Sequence, residues 1–189
     1  MKKKINKRNS LVEKETELVY KLKKQDRKMQ FQVYSDYYRA MYNTSLRILN
    51  NSAEAEDVMQ ESFLSAFKNI NSFSGNVTFG SWLKKIVINR SLDRLKNNRL
   101  VFTEISDFIP DEKEDESLFD DNQAMVDEIR KQINNLPDGY RVVLSLYLIE
   151  GYDHEEIGSI MGISASTSRS QFTRAKQKLT ELIKKNKQQ

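Results

Sequence analysis

Residues 155–175 read as two short helices joined by a tight turn, the second of them polar and basic. Ile157, Ile160 and Met161 recur at helical spacing and mark a buried face on the first helix. Gly158 has no side chain, so another helix can approach closely there. Gly162 stands where the first helix must stop, because glycine accepts the left-handed backbone that commonly follows a helix end. Ser164 is then placed to cap a second helix through its hydroxyl. That second helix carries Ser166, Thr167, Arg169, Ser170, Gln171, Thr173 and Arg174. Short hydrogen-bonding side chains mixed with arginines suit the base edges of the DNA major groove, as in a helix-turn-helix. The alternative is a solvated helix on an ordinary bundle.

The rest of the chain agrees with an all-α fold. Six glycines and two prolines in 189 residues favour long helices, and no window alternates like a strand between hairpin signals. There is no cysteine, which excludes disulfides and thiolate metal sites. The one histidine, His154, excludes a histidine-rich metal site and argues against histidine acid–base chemistry. It is expected in solvent at the start of a short helix. No metal, cofactor or catalytic residue is therefore expected. The N-terminus is positive but lacks a following apolar core, and no apolar run approaches the ~20 residues of a membrane span. A soluble, cytoplasmic protein is the expectation. Net charge is only +4, so its distribution says more than its total.

Along the chain, a helical pattern begins near Leu18 and resumes over 31–49, with Phe31, Tyr34, Tyr38, Met41, Tyr42, Leu46 and Leu49 at three-to-four spacing. Ser52 is placed to cap the next helix, whose Glu54 and Glu56 suit the helix dipole. That helix turns Ala55, Val58, Met59, Phe63, Ala66, Phe67 and Ile70 to one face. A loop over 71–80 leads into a fourth helix, about 81–97. Trp82, Leu83, Ile86, Val87 and Leu92 point inward there, and Lys84, Lys85, Arg90, Arg94, Lys96 and Arg99 form a basic flank. From Glu104 to Asp121 the composition inverts into a flexible acidic stretch, too polar to bury itself. Helices resume near Asn122, and Pro137 is expected at the first position of another. Val143, Leu144, Tyr147 and Leu148 should pack against the helix-turn-helix. The organisation is thus a basic tail (1–10), a helical domain (11–100), an acidic linker (101–123) and a helix-turn-helix domain (124–187).

Two further constellations stand out in the first domain. Asp57, Gln60 and Glu61 are spaced i, i+3, i+4 and share one helix face. That face is either an ordinary acidic surface or a dock for a basic or polar partner helix. The loop with Phe73, Asn76 and Phe79, beside Lys84 and Lys85, suits unstacked bases and a phosphate backbone. Phe73 and Phe79 serve either that surface or the core, with one of them expected in the core. Asn89 is either a buried hydrogen-bonding anchor or a base reader.

The residues from Ala55 to Phe63, then Phe73-Ser74-Gly75 and Trp82 to Asn89, resemble the second conserved region of bacterial sigma-70 family factors. The stretch from Leu136 to Leu179 resembles their fourth region. With only an acidic tether between, the chain is similar to the extracytoplasmic-function group. The resemblance spans nearly all of the chain after the first ten or so residues, and two motifs in the right order make it specific. It implies a sigma factor that brings core RNA polymerase to promoters and helps melt them, without being an enzyme. Asp57, Gln60 and Glu61 would then grip the clamp helices of the polymerase largest subunit, and the flap would be a second contact. Phe73, Asn76, Phe79, Lys84, Lys85, Asn89 and Arg94 would melt and read the minus-ten element, including a flipped base. Ser166, Thr167, Arg169, Ser170, Gln171, Thr173 and Arg174 would read the minus-thirty-five element. The linker would thread toward the RNA exit path, and an anti-sigma factor is a further partner the resemblance leaves open.

Two departures from the family pattern matter. Ser168 stands where valine is frequent on the buried side of the recognition helix, which should loosen or tilt that helix. Gln171 replaces a frequent basic residue. Two rivals remain: a stand-alone helix-turn-helix regulator leaves the acidic face and the aromatic loop unexplained, and a nucleic-acid-processing enzyme lacks a metal or nucleophile constellation. In the free protein the acidic tether is expected to fold back on the basic faces around Lys84, Lys85 and Arg94, or around Arg169 and Arg174.

Overall fold

The computed structural model describes residues 14–102 and 121–186, all in helices or short connections, with no strand among them. The basic tail and the acidic stretch 103–120, together with the expected fold-back of that stretch, lie outside the described residues. The chain divides into two compact units, Met1–Arg94 and Leu95–Gln189.

The N-terminal unit is built from α1 (14–23), α2 (Arg27–Leu49), α3 (Ser52–Lys68), a single 3-10 turn (Ile70–Ser72) and α4 (Phe79–Phe102), which continues past the division. Each start has a local cause. The Asp26 carboxylate accepts from the N–H groups of Lys28 and Met29 at 2.9 and 3.1 Å and opens α2. Asn50 ends it in the left-handed conformation, φ 53°. The cap of α3 is Asn51 rather than the expected Ser52: Asn51, extended at φ −141°, accepts from Glu54 N–H at 3.1 Å, and Ser52 is already helical. At α4, the Thr78 hydroxyl accepts from Ser81 N–H at 3.2 Å, and the Glu15 carboxylate of α1 accepts from Phe79 N–H. The fourth helix therefore starts at Phe79 and extends to Phe102, longer at both ends than periodicity suggested.

Burial follows the three-to-four pattern closely in α3 and α4. Met59, Phe63 and Ala66 join Leu83 and Val87 in a core that also takes Leu22, Val33, Met41 and Ile70, and Val58 is buried as well. One buried polar link joins α2 to α4, Ser45 Oγ to Ser91 Oγ at 2.9 Å. Phe31, read as part of the apolar face of α2, is instead 73 % exposed.

The C-terminal unit comprises α5 (Asp121–Asn134), α6 (Asp138–Leu148), α7 (His154–Met161) and α8 (Ala165–Asn186). The long α8 packs on each of the other three. Pro137 is the residue before α6 rather than its first position. Asp153 and Glu156 form a reciprocal capping box at α7: Asp153 Oδ1 accepts from the N–H groups of Glu155 and Glu156 at 2.8 Å each, and Glu156 Oε2 accepts from Asp153 N–H at 2.9 Å. Gly162 closes α7 at φ 72°, and the Ser164 hydroxyl accepts from Thr167 N–H at 3.0 Å at the start of α8, as the sequence led us to expect. Val143 and Leu144 are buried, while Leu148 is 58 % exposed and leaves the set expected to pack on the helix-turn-helix. No helix among the described residues is long and apolar enough to cross a membrane.

Candidate nucleic-acid interface

The three acidic and polar residues of α3 lie together on its exposed side, opposite Val58, Met59 and Phe63. Asp57 is open to solvent, and Gln60 Nε2 donates to Glu56 Oε1 at 3.2 Å. Glu61 is engaged across the unit. Its two carboxylate oxygens hold Arg90 at 3.4 Å and Arg94 at 3.1 Å, both from α4. Glu61 therefore joins the acidic face to two of the six residues of the basic flank in one charge cluster. In the sequence they look separate because Arg90 and Arg94 stand 29 and 33 positions after Glu61.

The loop after the 3-10 turn corrects one expectation. Phe73 is 8 % and Phe79 0 % exposed, so both rings belong to the core, not one of them. Phe73, Phe79 and Trp82 form an aromatic cluster with ring centroids 5.4–6.1 Å apart, a burial worth more than a stacking surface left in water. Neither ring is available to stack on a base in this conformation. The exposed part of the loop is 74–78, with Gly75 at φ 78° and Asn76 at the surface. Together with α1, this segment walls a cavity of about 510 Å³, lined by Glu15, Thr16, Val19 and Lys23 on one side and Ser74 to Thr78 on the other. A second cleft of about 610 Å³ lies between Lys14, Tyr37, Ala40, Ser81 and Lys84. Burial, and then the Glu15 and Asp36 carboxylates, raise the Tyr37 phenol above its ordinary pKa.

Farther along α4, Lys85 and Asn89 are exposed one turn apart on the same side, and Lys84 is half-buried. Asn89 is thus a surface residue, not a buried anchor. Arg94 is the member of the expected set that turns toward α3.

In the C-terminal unit, Ser166, Thr167, Arg169, Ser170, Thr173 and Arg174 are exposed on α8. The hydroxyls of Ser166 and Thr167 each lie 2.8 Å from Ser164 Oγ, and Thr173 Oγ1 donates back to Arg169 C=O at 3.1 Å. Gln171 falls on the opposite side. It is half-buried with its Oε1 inside the fold beside Gly139, on the stripe shared with Ser168, Phe172 and Ala175. Three- and four-residue steps from Ala175 reach Gln171 and Phe172, so the same periodicity that exposes Arg174 turns Gln171 inward.

His154 is also not where the sequence suggested. It is half-buried, stacked on Tyr147 at 4.6 Å and 19°, and edge-on to Phe172 at 5.6 Å. Its Nδ1 lies 2.9 Å from Ser168 Oγ, and Ser168 is 0 % exposed. The buried position of Ser168 was legible; its partner was not, since Tyr147, His154 and Phe172 are far apart in sequence. Arg141, another residue that pattern alone does not flag, is 3 % exposed, paired with Asp138 at 2.7 Å and donating to Leu136 C=O at 3.2 Å. Among the described residues no cluster of three or more His, Asp or Glu side chains could hold a metal ion.

One helical unit thus carries an acidic face and a basic flank, and the other a polar and basic helix beyond a tight turn. Residues 33–101 match the family model for Sigma-70 region 2, and residues 127–179 match that for Sigma-70 region 4. The two matches cover well over half of the chain, and this protein belongs to the sigma-70 family of RNA polymerase sigma factors, extracytoplasmic-function group. Among curated relatives, the ECF RNA polymerase sigma factor SigW of Bacillus subtilis is 29 % identical over 88 % of this chain and 95 % of its own. SigE of Mycolicibacterium smegmatis is also 29 % identical, over 77 % of this chain; the match spans 58 % of the length of that relative. Among solved structures, the fold resembles the sigma factor RpoE of Bartonella quintana, at 24 % identity and a TM-score of 0.61 over 81 % of this chain and 95 % of that one. It also resembles CnrH, at 20 % identity and a TM-score of 0.55 over 90 % and 97 %.

Proposed function

We propose that this chain is an initiation factor without catalysis of its own: it directs core RNA polymerase to specific promoters and assists their melting. The observation that carries this reading is the pairing, in order, of a region 2 unit and a region 4 unit, each with an exposed face of fitting chemistry. Our domain assignment keeps a basic tail over 1–10, a polymerase and minus-ten domain over 11–100, an acidic linker over 101–123 and a minus-thirty-five domain over 124–187.

In this reading Asp57, Gln60 and Glu61 receive the clamp helices of the polymerase, with the flap as a second contact. The exposed loop around Asn76 and the cavity behind it take an unstacked base of the minus-ten element, with Lys84, Lys85 and Asn89 along the strand, while Arg94, held by Glu61, is reassigned to the α3 face. Phe73 and Phe79 support that loop from beneath. On α8, Ser166, Thr167, Arg169, Ser170, Thr173 and Arg174 face the minus-thirty-five groove, and Gln171 is reassigned to the helix's inner packing. The RpoE structure is a complex with the anti-sigma factor NepR, and we extend that class of partner to this chain as part of the proposal.

The dock is tested by substitution. Asp57→Ala should weaken binding of the full chain to core polymerase about ten-fold, the loss of one charge-assisted hydrogen bond desolvated in the complex. Adding Glu61→Ala should weaken it further while the helical circular dichroism stays unchanged. Titration of labelled chain with core enzyme reads both. Undiminished affinity in the double variant would remove α3 as the dock.

A further inference from the structure

His154 and Ser168 form a polar link between helices of the C-terminal unit. Ser168 sits one turn into α8 on its inner side, 0 % exposed, and a buried hydroxyl is costly unless bonded. Its partner is the first residue of α7, at 2.9 Å, and that imidazole is itself held between Tyr147 of α6 and Phe172 of α8. One side chain thus touches α6 and α8 while belonging to α7. A part-buried hydrogen bond at 2.9 Å is directional and weakens steeply with angle. The exposed residues Arg169, Ser170, Thr173 and Arg174 are on the same helix as Ser168, so the roll of α8 about its axis sets where they point. With side chains, a helix has an outer radius of about 5–6 Å, so a roll of ~10° moves their tips by about 1 Å. That is enough to break a base-edge hydrogen bond.

We propose that His154, through Ser168, is a positioning residue that fixes the angular seat of α8 for reading the upstream promoter element. The inference rests on the promoter-binding role given to α8 above. It also revises what Ser168 does: in place of a looser or tilted helix, the serine locks α8 by hydrogen bonding where a valine would lock it by packing.

The test is a double-mutant cycle on holoenzyme assembled from the full chain and core RNA polymerase. The probes are a duplex enriched from a randomised pool by wild-type holoenzyme and the same duplex with its upstream element scrambled. Ser168→Ala and His154→Phe should each lower the affinity ratio between the two duplexes about five-fold, the worth of one hydrogen bond. The double variant should lose no more than either single variant, because both remove the same bond. His154→Asn, which keeps a hydrogen-bonding atom at the Nδ1 position, should recover most of the ratio. Unchanged ratios in the single variants, with only the melting temperature lowered, would overturn the proposal and leave a merely structural pair; so would losses that multiply in the double variant. Wild-type holoenzyme indifferent to the scrambled element would instead overturn the promoter-reading role itself. In that event the imidazole nitrogen resonances of the free chain report the latch alone: the single histidine makes them unambiguous, and they should shift on Ser168→Ala.

Discussion

Phe79→Ala should destabilise the N-terminal unit by about 3–5 kcal/mol, the range for emptying a buried phenylalanine site. The ring is 0 % exposed and meets Tyr37, Phe73 and Trp82 with centroids at 5.9, 6.1 and 5.8 Å. Three aromatic neighbours cannot collapse onto the vacated space without breaking their own geometry, so the cavity should persist. Phe79 is also the first residue of α4, and its N–H is bonded to Glu15 of α1. Alanine keeps that N–H, but the ring contact with Phe73 at the other end of the loop is lost, so the loop over 74–78 should loosen along with the core. Urea denaturation with unchanged slope and a lowered midpoint is the expected result. Phe79→Leu should recover much of the stability and with it promoter melting. Full stability in Phe79→Ala with melting abolished would return the ring to the DNA.

The second large effect is expected at Gly158. A Cβ there would lie 2.8 Å from the Ile163 carbonyl oxygen and 3.3 Å from Ala165 N, both backbone atoms of the turn into α8. Backbone cannot swing aside as a side-chain tip can. Gly158→Ala should cost the C-terminal unit about 3 kcal/mol by overpacking, outweighing the ~1 kcal/mol that alanine gains over glycine in a helix. The strain falls on the turn that joins α7 to α8, so, with α8 in its proposed role, upstream promoter affinity should fall with stability. Thermal unfolding read alongside binding to the enriched duplex checks both. A rise in melting temperature would mean that the turn opens without resistance and that the close approach carries no energy.

The turn around Gly158 and Gly162 was legible because it depends on local chemistry: a missing side chain, a left-handed glycine and a capping serine within a few residues. Helix existence was legible for the same reason, since periodicity is local. Cap positions slipped by one where two neighbours were both competent, as at Asn51 and Ser52. The harder failures all concern partners distant in sequence. Phe73 and Phe79 lie in and just after an irregular loop, where no period tells inward from outward. Glu61 looked like a free acidic residue until α4 brought Arg90 and Arg94 beside it. His154 looked solvated because neither Tyr147 nor Phe172 is its sequence neighbour. Gln171 is the exception: its inward side follows from the same three-to-four spacing that exposes Arg174, but a polar residue on a basic helix invites the opposite reading.

In the proposed function, one chain couples promoter recognition to the polymerase through two faces. Single-round transcription tests it most directly, with core RNA polymerase, the purified full chain and a template library randomised over the two promoter elements. Defined transcripts should appear only when the chain is present, from templates that share both an upstream and a minus-ten element, with the yield falling for Asp57→Ala. Transcription by the core enzyme that is unchanged by the chain, although the chain binds DNA on its own, would contradict it.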